Sequence, residues 1–125
     1  MCAMKVYKEF SFEAAHLLPQ VPDGHKCKRL HGHSFKVVIW VSGEVDQHLG
    51  WVLDFGDIKK NFEPLLKILD HSYLNEIEGL ENPTGENIAR WIWQRLTNVL
   101  PGLARVEVRE TCTAGVVFTG LGFGQ

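Results

Sequence analysis

Two stretches of this chain alternate with a period of two residues, and both reach histidine at the same loop. In the first, Val6, Lys8, Phe10, Phe12, Ala14 and His16 share one side, with Lys5, Glu9, Ser11 and Glu13 opposite. In the second, His31, His33, Phe35, Val37, Ile39 and Val41 share a side. Side chains at i and i+2 of a strand point the same way, so each stretch predicts a half-buried β-strand, irregular only at Lys8. Residues 17–30 between them hold Pro19, Pro22 and Gly24 and read as a loop. If the strands pair as an antiparallel hairpin, His16 lands beside His31 and His33. That condition constrains the fold more than anything else in the sequence.

The remaining elements follow in order. Residues 43–50 are turn-rich and lead to residues 51–55. Phe55, Ile58, Phe62, Leu65, Leu66 and Leu69 have helical spacing, with Pro64 predicted to kink that helix or mark an early turn. Thr84 behind Pro83 is a predicted N-cap for a second helix carrying Ile88, Trp91, Ile92, Leu96 and Val99, stopped by Pro101-Gly102. A third strand sets Ala104, Val106, Val108 and Glu110 against Arg105, Glu107 and Arg109, and a fourth follows around residues 116–119. The order is ββααββ. It predicts an α+β fold, two helices packed on one face of a four-stranded, mostly antiparallel sheet. At 125 residues the chain is expected to be one domain, 1–125, with a glycine-rich flexible tail at 120–125.

Composition excludes several classes. Thirteen basic against fifteen acidic residues lack the excess of a dedicated nucleic-acid binder. No apolar run approaches the ~18 residues of a membrane span. The start, MCAMKVYKEF, has no apolar stretch behind a charged end, so no signal peptide is expected. Cys2, Cys27 and Cys112 are odd in number and irregular in spacing, which argues against a disulfide framework. A reducing, cytoplasmic setting is the expectation.

Three chemical features stand out. Any one of His16, His31 and His33 alone reads most simply as a hydrogen-bonded histidine. Three imidazoles converging at the edge of an apolar face suit Zn²⁺ with an open fourth position, the arrangement of a catalytic zinc. His25 and His48 lie in polar loops and read as solvated. The second feature is Cys27, four residues before His31 and flanked by His25, Lys26, Lys28 and Arg29. Neighbouring positive charge favours the reactive thiolate. Cys2 and Cys112 read as ordinary small residues. The third is a set of polar groups at element ends. Asp70-His71 can form an oriented acid–base unit, though Asp and His are equally common at helix ends. Glu110 continues the apolar face of Val106 and Val108, where a carboxylate needs a dedicated partner: a ligand's amide edge or a buried ion pair.

The segments FSFEAAHLLP, GHKCKRLHGHSFKV, GWVLDF, LDHSYLN, LENPTGENIARWIW and ETCTAG occur in that order. Together they strongly resemble the 6-pyruvoyltetrahydropterin synthase family over about residues 5–115, and within it the bacterial branch that forms a 6-carboxyl product for queuosine synthesis. The resemblance implies the tunnelling fold (T-fold) and a ring-like homo-oligomer, tetramer or hexamer, with sites at subunit interfaces. It implies zinc as cofactor on His16, His31 and His33. It implies Cys27 as the base that deprotonates the substrate side chain, and Asp70 and His71 as a proton-relaying pair reaching in from a neighbouring subunit. Glu110 matches the pterin-anchoring acid, which also enters the relay in some accounts. Thr84 and Glu86 match a secondary pterin contact, where the family often has a hydroxyl residue at the place of Gly85. The implied substrate is 7,8-dihydroneopterin triphosphate; charge and proximity, not the resemblance, point to Lys26, Lys28 or Arg29 for the triphosphate, with a solvated basic loop as the alternative. A 6-pyruvoyl product is the alternative outcome, and a non-catalytic zinc or pterin binder the alternative class. C-x3-H-G-H disfavours the subgroup that uses glutamate in place of the cysteine. No nucleic acid or membrane partner is implied.

Overall fold

The computed structural model describes residues 3–110 and 113–120. Cys2, Cys112 and the tail beyond Gly120 lie outside them. The elements run β1 (Met4–His16), β2 (His31–Gly43), α1 (Phe55–Leu69), β3 (Ser72–Tyr73), α2 (Gly85–Leu96), β4 (Leu103–Arg109) and β5 (Gly115–Phe118). β1 and β2 form the expected antiparallel hairpin, with Phe12 opposite Phe35 and His16 opposite His31. β4 adds antiparallel to β2, and β5 to β4.

One expectation is corrected. The sheet has five strands in the order β3-β1-β2-β4-β5 and is mixed, because β3 runs parallel to β1. The extra strand comes from the way α1 ends. Asp70 caps the helix, and its carboxylate accepts the Glu13 N–H at 2.9 Å. His71 then turns through φ 58°, the left-handed region, and donates its N–H to the Glu13 carbonyl. The chain is thereby laid against β1 for two residues, too few for alternation to show.

Both helices pack on one face of the sheet. α1 buries Ile58, Phe62, Leu65 and Leu69, and α2 buries Ile88, Ala89, Trp91, Ile92 and Leu96. They cover Phe10, Phe12, Phe35, Val37, Ile39, Val106 and Val108 in one continuous core. Phe12 stacks on Phe35 at 4.9 Å, and Phe10 meets Phe62 of α1 at 4.6 Å. Each fully buried side chain of this size contributes about 1.5–3 kcal/mol. Pro64 does not interrupt α1. It and Lys60 are both exposed, so the carbonyl that loses its helical partner lies on the solvent side. Phe55 and Val99, expected on apolar faces, are about half exposed. α2 stops at Leu96, short of Pro101, which leaves Val99 in the following turn. Among the described residues, no helix is long and apolar enough to cross a membrane.

The core runs out at its histidine end. His33 lies 4.2 Å from the Phe35 ring and His16 5.2 Å from it, so the triad forms the polar rim of the aromatic layer.

Candidate active site

The hairpin brings the three predicted histidines together, with ring centroids 4.5, 5.2 and 5.8 Å apart. Each Nδ1 faces a backbone carbonyl: His16 toward Pro83 at 2.9 Å, His31 toward Arg29 at 2.7 Å, and His33 toward Ser34 at 3.0 Å. A carbonyl can only accept, so each Nδ1 carries a proton, and in a neutral ring so held Nε2 is the lone-pair donor. The Nε2 atoms of His16 and His33 stand 3.3 Å apart. Two lone pairs at that distance repel unless a cation lies between them. The spacing also matches two ligands of a tetrahedral ion, roughly 3.3 Å for bonds of ~2.0–2.1 Å. All three ligand atoms lie within 4.8 Å of one another. Burial holds the pKa of the almost fully enclosed His16 below its ordinary value, which favours the neutral, ligating ring. The residues present fit a metal ion.

Glu110 joins this group from just past the end of β4. Its Oε1 lies 3.7 Å from His16 Nε2 and 3.8 Å from His33 Nε2. With His16 neutral the first of these contacts is no salt bridge. Burial raises the Glu110 pKa, Glu86 adds to the rise, and His33 and His31 pull the other way. A cavity of about 510 Å³ opens beside it, lined by His33 and Phe35 and, from the sheet face away from the helices, by Ser11, Ser34, Lys36 and Arg109. Its size falls in the ~300–1,000 Å³ range of small-molecule pockets. It exists because the β2–β4 ladder ends at Lys36–Arg109, so β2 continues past its partner.

The first turn of α2 closes in from another side. Thr84 is the predicted N-cap, its Oγ1 accepting the Asn87 N–H at 3.1 Å, and Glu86 is exposed beside it. Gly85 is buried, and a Cβ there would stand 3.2 Å from Glu110 Oε2. Glycine is thus the residue that lets the Glu110 carboxylate lie against α2. Neither this contact nor the Pro83 carbonyl behind His16 leaves any periodic signal in the sequence.

Cys27 is a free, half-buried thiol in a short turn (Lys26–Lys28) of the β1–β2 loop, whose two ends carry His16 and His31. The His25 ring accepts the Cys27 N–H at 3.0 Å, and the Cys27 carbonyl accepts the Leu18 N–H at 2.8 Å. His25 therefore shapes the turn. Of the basic residues around it, Lys28 is already paired with Asp23 at 2.7 Å.

Asp70 and His71 do form a pair, Oδ2 to Nδ1 at 3.0 Å, on the opposite side of β1 from β2. The Glu13 N–H, more than the His71 ring, holds the Asp70 carboxyl below its usual pKa. The His71 side chain is 80% exposed. Among the described residues, neither member of the pair bonds to the triad.

Comparison with known proteins agrees with this geometry. Residues 5–120 match the model of the family described as 6-pyruvoyl tetrahydropterin synthase. A 6-carboxy-5,6,7,8-tetrahydropterin synthase of Synechocystis is 50% identical over 115 residues, covering 87% of this chain and 88% of that protein. A dihydroneopterin monophosphate aldolase of Pyrococcus furiosus is 41% identical, covering 93% and 96%. The structure of Caenorhabditis elegans 6-pyruvoyl tetrahydropterin synthase superposes with a TM-score of 0.88 at 28% identity, covering 97% and 98%. The architecture is the tunnelling fold, and the chain belongs to the 6-pyruvoyl tetrahydropterin synthase family of pterin-acting, lyase-type enzymes.

Proposed function

We propose that the protein is a zinc-dependent 6-carboxy-5,6,7,8-tetrahydropterin synthase serving queuosine synthesis. It converts 7,8-dihydroneopterin triphosphate and water to 6-carboxytetrahydropterin, acetaldehyde and triphosphate. The carrying observation is the convergence of three backbone-anchored imidazoles with Glu110 beside a pocket. The likeness to the Synechocystis protein favours the carboxy product.

His16, His31 and His33 hold the zinc, which supplies Lewis-acid polarisation of the substrate side chain. Cys27 removes the acidified C–H proton. His71, steered by the Asp70 carboxylate, returns a proton elsewhere. The side chain is oxidised as the dihydropterin ring is reduced, so no external oxidant is needed. Glu110 accepts hydrogen bonds from the amide and amino edge of the pterin, and Thr84 and Glu86 bound the same end. Thr84 Oγ1 already accepts from Asn87, which leaves its hydroxyl proton to donate. The exposed Asp70–His71 pair acts on the site of a neighbouring copy in a homo-oligomeric ring.

The test is incubation of the zinc-loaded protein with 7,8-dihydroneopterin triphosphate, with products identified by mass spectrometry. 6-Carboxytetrahydropterin with acetaldehyde and triphosphate is expected. A 6-pyruvoyl product moves the protein to the sister reaction at the same site. Cys27→Ala separates enzyme from binder: it is expected to retain zinc and lose about 10²–10⁴ in turnover. Absence of turnover in the zinc-loaded wild type overturns the proposal.

A further inference from the structure

We propose that Asn75 is a positioning residue for the metal centre, setting the orientation of His16 without touching the metal. The inference rests on the metal-binding reading above. Asn75 lies in the short turn Leu74–Glu76 that follows β3. Its Oδ1 accepts the Leu17 N–H at 3.0 Å, and its Nδ2 donates to the Leu17 carbonyl at 2.9 Å. One side-chain amide thus satisfies both backbone groups of the residue that follows His16.

The placement has a clear origin. β3 pairs with β1 at Ala14–Ser72 and Ala15–Tyr73, then stops. The Asn75 side chain takes over as the partner of β1 just beyond its end and fixes the backbone there.

The same Nδ2 reaches the Glu81 carbonyl at 3.4 Å. Glu81 begins the segment containing Pro83, whose carbonyl receives the His16 Nδ1–H. The far side of that segment is held by Asn87, which donates to the Asn82 carbonyl at 2.8 Å. Asn75 therefore contacts both tethers of His16: the backbone next to it and the segment that orients its ring. The fully buried Leu74 and Leu80 anchor the surroundings. Only an amide meets these demands. Aspartate keeps the bond from the Leu17 N–H but sets a carboxylate against two carbonyls, and alanine keeps nothing.

The experiment compares wild type, Asn75→Asp, Asn75→Ala and Leu100→Ala for Zn²⁺ affinity by chelator competition and for the visible spectrum of the Co²⁺-loaded protein. Leu100 is a core residue past the far end of α2, about 18 Å along that helix from its site-facing N-terminus. Both Asn75 variants are expected to bind zinc about 10–100-fold more weakly, with an altered Co²⁺ spectrum. Leu100→Ala is expected to lower Tm while leaving affinity and spectrum as in wild type. If Asn75→Ala does not fold, Asn75→Asp, which retains half of the clamp, carries the test. Wild-type affinity and spectrum in the folded Asn75 variants overturn the inference, whatever happens to Tm. A wild type that binds neither metal removes the metal reading itself, and this inference with it.

Discussion

The two histidine-bearing regions of this molecule are built in opposite ways. The triad sits at the rim of the aromatic core, each ring fixed by a backbone carbonyl, with His16 almost fully enclosed. The Asp70–His71 pair is also pre-oriented, by the Glu13 amide and a left-handed turn, yet its imidazole stands in solvent. A metal site needs its ligands fixed relative to one another, and one hairpin can achieve that alone. A proton relay must be fixed relative to the substrate, and here it is fixed only internally. The triad is gathered within one chain; among the described residues, the Asp70–His71 pair is not joined to it. That difference is the structural ground for placing the proposed relay in a neighbouring copy.

The largest effect comes from attacking the triad. His31 opens β2 and is only partly buried, so His31→Ala costs the fold little. It removes one of the three ligands. Zinc affinity is expected to fall about 10²–10³-fold, a quarter share of the ~10–16 kcal/mol typical of four-ligand zinc sites. Turnover disappears with it. Chelator competition and circular dichroism check the two statements separately.

An intermediate effect is expected from Asp70→Asn, which alters the solvent-facing pair. Asparagine can still accept the Glu13 N–H but no longer sets a negative charge beside the His71 ring. Turnover is expected to fall about 10²-fold or more, with zinc affinity unchanged. Stability gives a second signature. The folded-state pKa of Asp70 is depressed, so its contribution is present above the unfolded carboxylate pKa and lost as pH falls through the folded value. The difference in Tm between wild type and Asp70→Asn is therefore largest near neutral pH and closes under acid conditions below about pH 4. A difference independent of pH contradicts the charge-based account. A fall in zinc affinity contradicts the separation of the two regions.

The same contrast explains what the sequence discloses. His16, His31 and His33 are legible because strand period and hairpin register are long-range regularities, thirteen paired positions ending at one loop. Glu110 is legible as a carboxylate that breaks an apolar face. Asp70-His71 is legible only as adjacency, since its placement depends on one left-handed residue and a two-residue strand. The Pro83 carbonyl and the Leu17 backbone groups, which bear on His16, are invisible to side-chain pattern, and so is the clamp of Asn75 on Leu17. Side chains that repeat with an element's period are readable; contacts that exploit the backbone of a distant loop are not.

Gly85 supplies the smallest and most discriminating change. It occupies the first position of α2 with no positive φ, so alanine is conformationally welcome there and gains part of the ~0.8–1 kcal/mol that separates it from glycine in a helix interior. Its Cβ would press on the Glu110 carboxylate at 3.2 Å and meet Val116 at 3.5 Å. The second contact is ordinary packing; the first must be relieved, and the half-buried carboxylate is the group able to move. Gly85→Ala is thus expected to leave Tm unchanged or slightly raised and zinc affinity unaltered. It is expected to weaken apparent substrate binding about fivefold, the equivalent of ~1 kcal/mol from one misaligned hydrogen bond. Steady-state kinetics, with KM rising more than kcat falls, checks it. If KM is unchanged, Glu110 tolerates displacement and is not the pterin anchor. A matching loss of zinc instead makes Glu110, whose Oε1 already lies 3.7–3.8 Å from two of the ligand nitrogens, part of the metal site.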